Sequence, residues 1–170
     1  MVIRQETKSD HRAIRQLNDG AFGGTEESYL IDRLRTDALV LLSLVADDAG
    51  EIIGHIFFSR IRIEPSDPKQ PGMDAVALAP MCVSSVHQKK GIGGALIQTG
   101  LRMLKQRGEP IVFVLGHKSY YPKFGFAPEL AAQFTSAYAG DNFFAIELQP
   151  GWAAGKAGKL QYPEAFSGLT

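Results

Sequence analysis

One cysteine, Cys82, stands in 170 residues, so no internal disulfide can form and no cysteine cluster is available for zinc. That usage fits a reducing compartment, and the cytoplasm is the expected location. Neither sign of charge is in excess: Lys and Arg number 18, Asp and Glu 18. The balance gives no general attraction for nucleic acid or an anionic membrane, and neither is expected as a partner. Long hydrophobic runs are also missing. The most apolar stretch, 38–46, contains Ser43 and falls far short of the roughly 20 residues that span a bilayer. The opening Met1-Val2-Ile3-Arg4 lacks the apolar segment of a signal peptide. What is present is ordinary for a globular chain. Hydrophobic residues make up 45% and charged residues 21%, which argues against disorder and for a real core. The length favours one domain, expected over residues 1–150, with 151–170 as an extension packed on it.

Val2 and Ile3 predict a short strand. Ser9 is then placed to N-cap a helix carrying Ile14, Leu17 and Phe22, which frays at Gly20, Gly23 and Gly24. Thr25 predicts a second N-cap, with Glu26 and Glu27 at the positive end of the helix dipole and Leu30, Ile31 and Leu34 as its apolar stripe. Leu39 to Ala46 and Ile52 to Ile63 read as a hairpin around the turn residues Asp47-Asp48-Ala49-Gly50. From Asp74 to Val83 both alternating sets are apolar, which predicts a strand buried on two faces. Pro80 cannot donate to a central ladder, so a bulge or a parting of strands is expected there. Backbone groups would then be left for a ligand.

Gly91 to Arg107 is the strongest helix, with Ile92, Ala95, Leu96, Thr99, Gly100, Met103 and Leu104 as the buried stripe and Gly108 just past its end. Ile111 to Leu115 is a continuous apolar strand, so strand, helix and strand form a right-handed crossover with parallel outer strands. Tyr120 to Phe124 predicts a short helix held to its first turn by Pro122, Phe143 to Leu148 another strand, and the region around Leu160 to Tyr162 an added one.

The informative segment runs from Val83 through Gln88, Lys89, Lys90, Gly91, Ile92, Gly93 and Gly94 into the long helix. Without Cβ atoms at the three glycines the backbone can come close to a ligand, and the free N–H groups of the first helical turn point at one spot. That spot suits an anion, a pyrophosphate above all. Lys89 and Lys90 add charge at the rim, and Gln88 carries a donating amide. The spacing fits neither the dinucleotide-fold glycine fingerprint nor a Gly-Lys-Ser/Thr P-loop. The plainer reading is that the glycines only permit close helix packing.

Gln88-Lys89-Lys90-Gly91-Ile92-Gly93 resembles the Gln/Arg-x-x-Gly-x-Gly/Ala signature of the GNAT superfamily of N-acetyltransferases. Leu78 to Val83, Val114 to His117, Tyr120 to Phe126 and Tyr162 to Phe166 are similar to the YhbS-like branch of that family, while Ser85 departs from it where many relatives have proline. The resemblance implies an α/β acyl-CoA N-acyltransferase fold. Its sheet would be mixed and mostly antiparallel, with one parallel splayed pair and flanking helices. It implies acetyl-coenzyme A as cosubstrate, no metal, a primary amine of a small molecule or peptide as acceptor, and direct attack in a ternary complex. Homodimers are common in the family.

The resemblance also implies residue roles. The backbone of Met81 and Val83 would pair with the cosubstrate's pantetheine arm, a main-chain N–H near Cys82 or Met81 would polarise the thioester carbonyl, and Gln88 to Gly94 would hold the pyrophosphate. Tyr121 corresponds to the family's tyrosine before Gly125-Phe126 and would protonate the departing thiolate. Tyr120 reads as a packing residue. For the base, the apolar run 75–83 offers no carboxylate; Asp74 sits just before it, and Glu64 ends the hairpin strand. His117 follows the strand at the mouth of the gap, and an ordinary imidazole suits proton removal near neutrality. The alternative is a histidine that caps a carbonyl or orders the tyrosine loop. His55 and Cys82 read as structural. The rival function is a non-catalytic acyl-CoA binding or sensing module, which would keep the glycine segment but not need Tyr121. The acceptor pocket is expected from the first two helices, the hairpin and the tail.

Overall fold

The computed structural model describes residues 1–168. Strand β1 (Val2–Gln5) leads through a 3-10 turn into helices α1 (His11–Phe22) and α2 (Glu26–Thr36). Strands β2 (Val40–Asp48), β3 (Glu51–Pro65) and β4 (Met73–Val83) follow, then helix α3 (Ile92–Gln106) and strand β5 (Ile111–Leu115). Helix α4 (Pro128–Ala131) and strands β6 (Phe134–Thr135), β7 (Phe143–Glu147) and β8 (Gly158–Gln161) complete the chain.

The sheet runs in the order β1-β2-β3-β4-β5-β7. Neighbours along it are antiparallel except β4 with β5, the two strands that α3 connects. The long β3 serves two edges: its first half pairs with β2, and its end, Arg62 to Pro65, pairs with β8. The tail thus extends the same sheet, and β6 lies parallel to β8 beyond it. This is the mixed, mostly antiparallel architecture expected above.

Strand alternation sends Phe57 to one face and Phe58 to the other, both fully buried. Phe57 joins Ile14, Leu30, Ile31 and Leu34 of α1 and α2, with Leu160 and Phe166 of the tail. Phe58 joins Leu96, Ile97, Leu101 and Leu104 of α3. Each large apolar side chain taken out of water contributes about 1.5–3 kcal/mol, so two apolar layers hold helices on both faces of the sheet. At Gly100 α3 comes close to the sheet, because a Cβ there would overlap the Phe58 ring.

Several expectations are corrected. Asp10, not Ser9, orders the start of α1: its carboxylate accepts from the Thr7 N–H at 2.7 Å and from Arg4 at 2.8 Å. The buried stripe of α3 takes in Ile97 and Leu101 and leaves Ala95 only half-buried, since the helix lies across a twisted sheet. Helix α4 and strand β6 went unpredicted, for pieces of four and two residues carry no readable period. In the tail, the Lys156 ammonium sits 4.7 Å from the Trp152 ring centre.

His55 is fully buried on β3, as a structural histidine should be. Asn18 donates to its Nδ1 at 3.2 Å, so the remaining ring proton, on Nε2, points to Ser43 Oγ at 2.9 Å. A second proton would face the Asn18 amide. Burial holds the imidazole down to about 3.

Candidate active site

The β4–β5 ladder is very short. Val76 pairs with Val112 and Ala77 with Phe113, and pairing ends there. On its other side β4 stays paired with β3 as far as Val83 opposite Gly54, apart from a register shift where Ala79 and Pro80 pass Phe57. The expected bulge at Pro80 is therefore present, and the strands part beyond it. Ser84 N–H donates to Ile53 C=O at 2.8 Å. Alternation along an antiparallel ladder then turns the Cys82 main chain toward β3 and the N–H and C=O groups of Met81 and Val83 toward the gap. Of the two candidate N–H groups, that of Met81 faces the gap and that of Cys82 faces β3.

The gap opens into a cleft of about 1230 Å³. At its lower end lies the glycine segment. Lys89 (φ 63°) and Gly91 (φ 81°) adopt left-handed backbone that wraps the loop into α3. The first main-chain bond of the helix is Ala95 N–H to Gly91 C=O at 3.0 Å, so the N–H groups of Gly91, Ile92, Gly93 and Gly94 have no main-chain acceptor among the described residues. A Cβ at Gly91 would meet nothing within 4 Å, but one at Gly93 would come within 2.6 Å of the Tyr120 hydroxyl and one at Gly94 within 3.1 Å of Phe124. Close packing is thus part of what these glycines do, against the tyrosine loop rather than the strand. Unspent donors beside an open strand edge fit a cosubstrate that carries a pyrophosphate and an amide-bearing arm. Gln88 lines the cleft, and its amide also donates to Val83 C=O at 3.2 Å, which braces the loop against β4. Lys89 reaches the cleft wall, while Lys90 is exposed outside it. His87 also lines the cleft, with a buried Nδ1 that has no hydrogen-bond partner among the described residues.

Tyr120, Tyr121, Lys123 and Phe124 form the side toward β5. Tyr121 is 8% exposed; burial, with Tyr120 adding to it, pushes its phenol up to about 12. Its ring lies over the Gly116 backbone, where no Cβ would fit. Tyr120 packs as expected, its ring meeting Tyr121 and Phe124 edge to face and its hydroxyl lying against Gly93 in the first turn of α3. His117 lines the mouth of the cleft with an exposed ring. Its carbonyl accepts from Tyr120 N–H at 3.0 Å and Tyr121 N–H at 3.3 Å, so it orders the tyrosine loop through its backbone. Cys82 is buried, and that burial, together with the Glu27 carboxylate, pushes its thiol up to about 12, the reverse of what a nucleophilic thiolate needs.

The far side of the cleft is built by Ala21, Phe22, Glu27 and Leu30 from α1 and α2, and by Tyr138, Tyr162 and Phe166. The first two helices and the tail take part as expected. The β2–β3 hairpin does not, because both of its faces are covered by helices. Sequence reading had assigned Glu27 only to the helix dipole; its place in the cleft depends on how α2 lies on the sheet. Among the described residues no group of His, Cys, Asp and Glu is placed to hold a metal ion, and no helix is long and apolar enough to cross a membrane.

Residues 41–128 match the acetyltransferase (GNAT) domain family. The uncharacterized N-acetyltransferase YjhQ of Escherichia coli K12 is 42% identical over 123 residues, which cover 71% of this chain and 66% of YjhQ. The chain belongs to the GNAT acetyltransferase family, whose members are acyltransferases. The crystal structure of Escherichia coli YhbS in complex with CoA superposes with a TM-score of 0.88 at 28% identity, covering 98% of this chain and 91% of YhbS. A GNAT family acetyltransferase from Brucella melitensis in complex with acetyl-CoA superposes at 0.79 with 30% identity, covering 97% of each chain.

Proposed function

We propose that this protein transfers an acetyl group from acetyl-CoA to a primary amine of a small molecule or peptide, by direct attack in a ternary complex. The observation that carries this is the set of unspent N–H groups at Gly91 to Gly94 beside the open edge of β4. Bound there, acetyl-CoA supplies an acetyl group activated as a thioester. The helix N-terminus and Lys89 would hold the pyrophosphate, with Lys90 near enough in sequence to add positive charge at the rim. Met81 and Val83 would pair with the arm as an added strand, and the Met81 N–H would stabilise the developing oxyanion.

Tyr121 would serve the departing sulfur. A phenol at about 12 stays protonated at neutral pH, yet it is a weaker acid than an ordinary thiol at about 8.5. It therefore donates a hydrogen bond that becomes a proton only as the attacking nitrogen gives up its own. Relatives crystallised with CoA and acetyl-CoA support the choice of cosubstrate. Tyr121→Phe tests the reading: kcat should fall about 100-fold or more with acetyl-CoA affinity nearly unchanged. A non-catalytic acyl-CoA sensor would bind acetyl-CoA and turn over no amine at all, with or without the phenol.

A further inference from the structure

Two features on the acceptor side of the cleft have no use in the cosubstrate's half. The first is Glu27, the one carboxylate among the described residues that line the cleft. It is half-buried and has no ion-pair partner among those residues. It lines the same cleft as Met81 and Cys82 of β4. The second is an aromatic wall. Tyr138 and Tyr162 meet edge to face at 4.7 Å between ring centres, and Tyr162 and Phe166 at 5.1 Å. Phe22, 44% exposed, stands in the same cleft from the end of α1.

The geometry points to an acceptor that is a monoamine on an aromatic body, an arylalkylamine, with Glu27 as the group that seats its ammonium and takes its proton. This rests on the acetyl-transfer reading and narrows it. A lone carboxylate satisfies one ammonium. A linear polyamine would bring further cations to a wall with no acid to meet them, and a many-hydroxylated amine would leave hydroxyls unpaired against aromatic rings. A flat ring instead gains edge-to-face contact with Tyr138, Tyr162 and Phe166. The wall also favours the cation that enters along it.

The proton balance closes without an outside reagent. The ammonium gives one proton to the Glu27 carboxylate, and the freed lone pair forms the C–N bond at the thioester carbonyl. The C–S bond breaks as Tyr121 gives its proton to the sulfur. The second proton of the new amide nitrogen restores the phenol, and Glu27 releases its proton to water.

The test is a panel of primary amines, from phenethylamine and tryptamine to spermidine, a lysine-bearing peptide and an aminoglycoside, assayed for free coenzyme A thiol with wild type, Glu27→Gln, Glu27→Asp, Tyr138→Ala and His117→Ala. Wild type should favour the arylalkylamines by about 10-fold or more in kcat/KM. Glu27→Gln should lower their kcat/KM by about 100-fold or more, with the acetyl-CoA KM and the melting temperature unchanged. Glu27→Asp should restore part of the loss, and Tyr138→Ala should raise the KM of the aryl amines while leaving any spermidine turnover alone. A wild type that acetylates no amine overturns the acetyl-transfer reading itself. One that prefers spermidine or the peptide, or that loses activity in His117→Ala but not in Glu27→Gln, overturns this inference and leaves acetyl transfer standing.

Discussion

Gly116 shows how one missing methyl group sets the position of the Tyr121 phenol. The Tyr121 ring lies on its backbone, where a Cβ would overlap the ring edge. Gly116→Ala should displace the phenol while leaving the donors at Gly91 to Gly94 untouched. We expect kcat to fall by about 10–100-fold, as misplacement on the ångström scale does, with acetyl-CoA binding retained by calorimetry. Unchanged kcat would mean that the Tyr121 position is not critical. Pairs of neighbours divide the work in the same way along this wall. Tyr121 is buried and Tyr120 rests on the helix start, in keeping with the separate roles that the sequence suggests for them.

Among the elements, β8 ties the tail to the site. Gly158 lies against the Glu64 carbonyl so closely that a Cβ would overlap it, and would come within 2.8 Å of Ile63. Gly158→Ala should loosen the β3–β8 ladder by roughly 1–3 kcal/mol. Tyr162 and Phe166 follow directly on β8. The KM for the amine should therefore rise several-fold while that for acetyl-CoA holds, which steady-state kinetics in both substrates will read; equal changes in both would separate β8 from the acceptor wall. Helix α3 and strand β4 were legible because each is long and strongly patterned. Pro80 announced the bulge because a proline cannot donate to the ladder. The tail was harder, since its strand is four residues long and its partner lies nearly a hundred positions earlier.

At the scale of the whole molecule, acid stability turns on His55. Its folded form is held down to about 3 by burial, whereas an unfolded histidine titrates near 6.5. Between those values the unfolded chain binds a proton that the folded chain refuses. Stability is therefore full above about pH 6.5 and falls as pH drops, by up to about 1.4 kcal/mol per unit. The Asp10 carboxyl, kept well below the usual range by its hydrogen bonds from Arg4, against the opposing effect of its burial, loses its contribution only below about pH 4. Urea titrations from pH 7.5 to 4.5 should thus show a slope that His55→Gln flattens, even though that variant is less stable at pH 7.5. Parallel slopes in the two proteins would remove His55 from the account.

By itself the sequence determined the longer elements and the glycine segment at one end of the cleft, because those depend on local properties: apolar periods, a proline that cannot pair, and glycines that free the backbone at a helix start. Only the tertiary structure decided the opposite wall of the cleft. Glu27, Tyr138 and Tyr162 share no segment and no spacing rule. They meet because α2 crosses one face of the sheet while β8 returns the tail to the end of β3, and contacts between distant segments leave no period in the chain to read.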